Sequence, residues 1–255
     1  MTTHDVLGTP IEMPVHIRQA SCFVGGFTAS AAAAQAAISD TGLEVLRVRP
    51  GRAMCMLVFV DYVDGDLGPY NEFGVCLLVA DRERPGQSMV GNLRDLVGGQ
   101  ARALVHRLPV DGEFTLAAGR GIWGFPKTLA DFDVDHRSAT KRGVVSEGGK
   151  MIAALTIRPG FKVPDSPSST VLRAYSHLDG VTRETPWVLN KTADTRTRLG
   201  GAQLQLGSHP IADELRRLDL GRRALMTSSV GQIEMTFEDA EVVSATTPGT
   251  SRTVG

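Results

Sequence analysis

The residue best placed for chemistry is Lys127, in the stretch "AAGRGIWGFPKTLADF" at residues 117–132. Of 27 basic residues only five are lysines (Lys127, Lys141, Lys150, Lys162 and Lys191), so a lysine set between aromatic residues and a proline stands out. An amine attacks a carbonyl only when neutral, and a lysine at its reference pKa of about 10.4 is almost wholly protonated at neutral pH. Bringing that value near 7 takes about 5 kcal/mol of differential destabilisation of the ammonium, from burial or from a cationic neighbour. Ile122, Trp123, Phe125, Pro126 and Leu129 offer the burial, and Arg120 is a candidate positive neighbour. The same residues also fit a surface lysine whose stem covers apolar side chains.

Gly119, Gly121 and Gly124 spell a G-x-G-x-x-G just ahead of this lysine. Dinucleotide binding needs that pattern after a strand, opening a helix, with an acidic residue about 20 positions on. Here Pro126 and Lys127 follow the last glycine, position 139 is alanine, and the flanking segments read as sheet. The stretch therefore reads as a loop that presents a lysine, and no nucleotide cofactor is expected.

Other chemistry-bearing residues form no pattern of their own. Cys22, Cys55 and Cys76 are not spaced as metal ligands and read as reduced core thiols. The six histidines make no H-x-H or H-x-x-x-H pair, so no metal is expected. "DFDVD" (Asp131, Asp133, Asp135) lacks the glycine and glutamate of a calcium loop and reads as a solvated strand edge. Trp187 and Tyr175 fit either a pocket lining or core packing. No G-x-S-x-G occurs.

The elements that must position Lys127 are mostly strands. "LEVLRV" alternates; "RAMCMLVFVDY", "FGVCLLVA" and "MIAALTI" are apolar runs; "AQLQLG" and "GQIEMTF" alternate again. "TASAAAAQAAISDTG" reads as a short alanine helix capped by Thr28 or Ser30 and ended near Gly42. "SHPIADELRRL" reads as a helix capped by Ser208, and "PDSPSST" as a loop. Many short strands with no β-α-β alternation imply an α+β chain with a largely antiparallel, barrel-like sheet and a few peripheral helices. Residues 1–15 read as an N-terminal arm, 16–243 as one domain and 244–255 as a flexible tail.

The 255 residues carry a formal net charge of -1, which leaves no electrostatic footprint for nucleic acid or an anionic membrane. The longest apolar run, residues 53–60, falls far short of the ~20 residues of a spanning helix. The first residues, "MTTHDVLGTPIEMP", do not resemble a secretion signal, so a cytoplasmic protein is expected.

"GRGIWGFPKTLAD" resembles the active-site segment of the acetoacetate decarboxylase family, which runs Gly-Arg-Glu, a few residues, then aromatic-Pro-Lys-Lys. "LGPYNEFGV", with Tyr70 and Glu72, resembles that family's Tyr-x-Glu segment, and "LGSHPIADELRRLDLGRRALMTSSVGQIEMTFEDAEVV" follows its closing order of helix and strands. The likeness spans about residues 20 to 243. It implies a cone or barrel of antiparallel strands in a homo-oligomer, with no cofactor. Lys127 matches the Schiff-base lysine and Glu72 an active-site glutamate; acetoacetate decarboxylase is a standing example of a lysine activated by its surroundings. Arg18, in "VHIRQAS", matches the family's arginine for the substrate carboxylate, and Arg120, Trp123, Phe125, Tyr70 and Thr128 are expected around the substrate. Three positions depart from the pattern: Thr128 replaces a second lysine, Gly121 a glutamate, and Leu57 another glutamate, with Asp61 the nearest acid.

The implied activity is a lyase acting on a β-keto acid through a lysine imine. Two further readings stand beside it: an imine-using aldolase, dehydratase or cyclase on a keto acid, and a non-catalytic small-molecule binder on the same fold.

Overall fold

The computed structural model describes residues 2–82, 101–164 and 169–245. Strands β1 (Thr3–Val6) and β2 (Thr9–Glu12) form a hairpin, followed by the long β3 (Val15–Ser30), helix α1 (Ala31–Ala37), β4 (Arg47–Arg49), β5 (Arg52–Gly65) and β6 (Tyr70–Leu78). Then come β7 (Arg102–Val110), helix α2 (Glu113–Trp123), β8 (Lys127–Leu129), β9 (Asp131–Asp135), β10 (Lys141–Glu147) and β11 (Lys150–Ile157). The chain ends with β12 (Phe161–Lys162), β13 (Thr170–Leu178), β14 (Val181–Leu199), β15 (Ala202–Leu206), helix α3 (Pro210–Arg217), β16 (Met226–Phe237) and β17 (Glu241–Ala245).

The large sheet runs β14-β13-β7-β6-β5-β3-β16, and β16 pairs back onto β14, so these strands close into a ring. Its pairings are antiparallel except β13 with β7, and β8 adds to β7 in parallel. A second sheet, β15-β11-β10-β9, is antiparallel throughout. Asp131, Asp133 and Asp135 alternate outward along its edge strand, as expected, while Phe132 and Val134 pack inward.

Because side chains alternate across a strand, the same strands serve two apolar clusters. Leu57 and Phe59 of β5, with Phe73, Val75 and Leu77 of β6, join a cluster capped by the second sheet, α1 and α3. Val60 and Tyr62, with Tyr70 and Cys76, face the other way into a cluster built around α2. The hairpin adds Val6 and Ile11 to this second cluster, so the N-terminal segment is packed against the body. The expected 244–255 tail does not begin at residue 244. Residues 244 and 245 belong to β17, which pairs with β14, and 246–255 lie outside the described residues.

Two local readings are corrected. Residues 113–123 are helical rather than a loop between strands. Thr115, Ala118, Gly119 and Ile122 are buried at i, i+3, i+4 and i+7, a helical stripe that two glycines disguise in the sequence. Glu113 sits in the first turn, where the macrodipole favours it. Gly124, at φ 65°, ends the helix in the left-handed region, its N–H bonding the carbonyls of Arg120 and Gly119. In α3 the cap is His209, not Ser208: its ring accepts from the Ile211 N–H at 3.2 Å. In α1 the Ser30 hydroxyl accepts from Ala33 N–H, as one of the two expected caps.

All three cysteines are free, and burial pushes the Cys22 and Cys76 thiols up to about 12 and the Cys55 thiol higher still. None is a ready thiolate at neutral pH.

Candidate active site

Lys127 opens β8 and pairs with Leu108 of β7, which turns its side chain into the cluster around α2. Only 4% of it is exposed. The burial is made possible by α2, which crosses directly over the lysine stem at Gly119, where a Cβ would lie 2.5 Å from Cδ and 2.6 Å from Cε.

A buried ammonium costs several kcal/mol unless it is paired and hydrogen-bonded. Lys127 has both kinds of partner. Its Nζ lies 3.0 Å from Glu72 Oε2 and donates to Thr115 Oγ1 at 2.9 Å. The Tyr70 ring lies beneath it, 4.8 Å from Nζ to centroid, in cation–π geometry. The sequence reading places the ammonium against an apolar wall; the structure instead puts a carboxylate, a hydroxyl and an aromatic face around Nζ, and the apolar wall beyond them.

Glu72 is held in turn. It follows the Gly68 turn on β6, two residues after Tyr70, and so shares Tyr70's face of the strand. The Tyr62 hydroxyl donates to Glu72 Oε1 at 3.3 Å. Tyr62 and Tyr70 are cross-strand partners in the β5–β6 register, their rings stacked at 4.3 Å. Burial, reinforced by the charge of Glu72, holds both phenols well above the ordinary tyrosine range. Both are neutral donors at any physiological pH.

The rest of the cavity is apolar: Trp123, Phe125, Trp187 and Phe237, with Leu67 and Leu108. Its free volume is about 10 Å³, room for one water. Of the lining side chains only Trp187 is half-buried rather than buried. The Trp187 N–H is buried without a hydrogen-bond partner among the described residues.

The expected site residues divide cleanly. Lys127, Glu72, Tyr70, Trp123 and Phe125 converge on one cavity. Arg18 does not join them: its guanidinium is exposed on β3, bonded to Asp64 at 2.8 Å and Asp66 at 2.6 Å. Arg120 is exposed and donates to the backbone carbonyl of Lys127 at 3.3 Å, so it braces the main chain. Thr128 is half-buried on the strand next to Lys127, its hydroxyl unpartnered among the described residues. Leu57 is fully buried in the opposite cluster, and Asp61, next to Tyr62 on β5, is absent from the lining. Tyr175 lines a different cavity, with Arg102 and Arg173, whereas Trp187 belongs to this one.

Sequence reasoning missed Tyr62, Thr115 and Phe237. Tyr62 was legible in principle, as the cross-strand partner of Tyr70 once the turn between them is placed. Thr115 carries no signal, because its role depends on α2 passing over β8.

The description "Acetoacetate decarboxylase (ADC)" matches residues 7–246. The chain belongs to the acetoacetate decarboxylase family. Among curated members it is 28% identical over 128 residues to acetoacetate decarboxylase 3 of Mesorhizobium japonicum, a match covering 45% of this chain and 49% of that one. It is also 28% identical over 131 residues to acetoacetate decarboxylase 1 of Bradyrhizobium diazoefficiens, covering 46% and 52%. The chain thus spans about half the length of the curated relatives it matches.

The fold agrees over most of the chain. A solved acetoacetate decarboxylase superposes with a TM-score of 0.66 at 18% identity, covering 93% of this chain and 92% of the other. The enduracididine biosynthesis enzyme MppR complexed with pyruvate superposes with a TM-score of 0.59 at 13% identity, covering 92% of each chain. Among the described residues, no helix is long and apolar enough to cross a membrane, and no three His, Cys, Asp or Glu side chains gather as metal ligands.

Proposed function

We propose that this family member is a lyase in which Lys127 forms an imine with the ketone of a β-keto acid and the imine drives loss of carbon dioxide. The observation that carries the reading is the buried Lys127–Glu72 pair, 3.0 Å apart at the base of an aromatic cavity. Glu72 takes one proton from the Lys127 ammonium, the free amine adds to the carbonyl carbon, and Glu72 returns the proton to the departing hydroxyl, so that loss of water leaves a protonated imine beside the Glu72 carboxylate. Cleavage of the bond to the carboxylate then sends its electron pair into the imine, giving carbon dioxide and a neutral enamine.

An apolar wall suits that step. The iminium and the carboxylate annihilate each other's charge as the bond breaks, so a site poor in water favours the transition state over the zwitterion that precedes it. Among the described residues the lining holds no cation besides Lys127, which favours a keto acid whose remaining substituent is apolar.

Glu72 also supports the second reading. A carboxylate this close to the imine can remove a neighbouring proton, which gives an enamine without decarboxylation and opens aldol, dehydration or cyclisation chemistry. Partners are proposed on the same basis: a small keto acid, and a second copy of the chain in a homo-oligomer.

The test is borohydride reduction in the presence of acetoacetate or pyruvate, read by intact mass, with carbon dioxide measured in parallel. The lyase reading expects an adduct and carbon dioxide with acetoacetate, and no adduct in Lys127→Ala. Glu72→Gln is expected to slow turnover by about 10²-fold or more. Adduct without carbon dioxide favours the second reading, and no adduct with any keto acid leaves a binding protein.

A further inference from the structure

A second cavity, of about 440 Å³, shares no lining residue with the Lys127 site. It joins the two sheets. Thr156 of β11 and Gln203 of β15, cross-strand partners in the small sheet, line it together with Arg158, just past β11. Arg223 and Ala224, which lead into β16 of the ring, line it too, as do Gly200, Gly201 and Ala202 of the β14–β15 turn. Hydrogen bonds fix this frame. The Arg158 N–H donates to the Gly201 carbonyl at 2.9 Å, the Gly200 N–H to Leu225 at 3.0 Å, and the Thr227 hydroxyl to Gly200 at 2.9 Å.

The lining offers guanidinium, hydroxyl and amide groups and no carboxylate. Among the described residues neither Arg158 nor Arg223 is ion-paired. A third arginine stands beside them. Arg198 packs on Gly201, whose Cβ would meet its Cδ at 2.5 Å, and its Nη1 donates to the Pro159 carbonyl at 3.2 Å. Its Nε is buried with no hydrogen-bond partner among the described residues. Elsewhere the arginines draw acids: Arg196 has Asp194 and Arg216 has Asp213. Even the cavity lined by Arg102 and Arg173 is neutralised in this way, by Asp81 and Glu184. At the seam between the sheets like charges gather with nothing opposite them, a cost that a bound anion removes.

We propose that this cavity binds a small organic phosphate monoester, its phosphate on Arg158 and Arg223 and its organic part along Ala202 and Ala224. A phosphate monoester carries a charge of about −1.5 to −2 at neutral pH and three strong acceptor oxygens. That matches two arginine charges, and the guanidinium fork meets phosphate oxygens in pairs. The volume falls in the range of small-molecule sites, about 300–1,000 Å³, so the cavity holds more than a bare ion. The proposal does not depend on the imine chemistry.

Calorimetric titration with glycerol 3-phosphate at about 0.15 M ionic strength tests it, with glycerol as the uncharged control. Wild type is expected to show saturable binding with a Kd at or below about 1 mM, and none with glycerol. Arg158→Gln and Arg223→Gln replace exposed side chains and are expected to keep the far-UV circular dichroism spectrum. Each should weaken binding by about tenfold or more, the scale of a lost charged hydrogen bond. Arg222→Gln removes the same charge next door without altering the lining, and should stay within about twofold of wild type. Lys127→Ala should bind as wild type does. Malonate, whose charge is split over two groups, should bind more weakly than the phosphate. No saturable binding in wild type, or unchanged binding in both Arg158→Gln and Arg223→Gln, overturns the site. An equal loss in Arg222→Gln overturns it as mere surface charge, and a loss in Lys127→Ala moves the ligand to the other cavity. Malonate binding as tightly as the phosphate overturns the phosphate assignment.

Discussion

Gly119 and Lys127 stand against each other so closely that the glycine has no room for a side chain: a Cβ would meet Cδ of the lysine at 2.5 Å. The helix thus grips the lysine stem and aims Nζ at Glu72 and Thr115. Gly119→Ala is expected to keep the fold, at a cost of about 1–3 kcal/mol for overpacking. It should also cut the rate of imine trapping by about 10²-fold, the effect of a displacement near 1 Å. Far-UV circular dichroism beside timed trapping separates the two outcomes. Gly121→Ala is the control, because nothing lies within 4 Å of a Cβ there.

Thr128 occupies the position of a second lysine in the resembling motif, yet neighbours on a strand face opposite ways. A lysine there does not point at Nζ of Lys127. Thr128→Lys is expected to leave adduct formation and its pH profile unchanged and to lower the urea midpoint, because the Thr128 hydroxyl is buried. A shift of the trapping profile toward lower pH would show that the two side chains interact.

Trp187 is the incompletely buried wall of a cavity too small for acetoacetate, so entry requires that a lining ring move. Phe125 and Phe237 hold its indole at 5.8 and 5.2 Å. Trp187→Ala is expected to speed trapping of an aryl β-keto acid relative to acetoacetate by about tenfold or more, the scale of a few methylenes of pocket space. Competition between the two acids, read by adduct mass, measures it.

His136 sets part of the acid limit of stability. Burial, then the charge of Lys141, lowers its pKa to about 4 against the opposing effect of Asp135. Its Nδ1 contacts Ser21 at 3.2 Å, and its Nε2 has no hydrogen-bond partner among the described residues. The folded value lies below the ordinary 6.5, so the unfolded chain binds the proton first. The contribution is present in full above about pH 6.5 and is lost as pH falls through 4. Urea midpoints measured from pH 7 to 4 should fall more steeply for wild type than for His136→Gln.

The fold and the core of the site were legible where one strand or one short segment carries the information. Tyr70 and Glu72 share a face because they are two residues apart on a strand, and Lys127 is marked by its rarity and its aromatic neighbours. The continuous apolar runs at 53–60 and 73–80 are buried on both faces, as the two clusters on either side of β5 and β6 require. The helix of residues 113–123 was not legible, because Gly119 and Gly121 lower its intrinsic propensity and packing over Lys127 outweighs them.

By itself the sequence singled out the two residues proposed to carry the chemistry, the lysine by its rarity and its aromatic neighbours and the glutamate through the family resemblance of its segment, since residue type says what each can do. Only the tertiary structure decided what surrounds them. Arg18 is drawn to Asp64 and Asp66 across the β3–β5 pairing and not to the cavity. Thr115 reaches the lysine from a helix that packs over it, and Tyr62 reaches Glu72 from the neighbouring strand. Those contacts depend on a ring that closes by pairing β14 with β16, and local sequence does not encode which distant strands must meet.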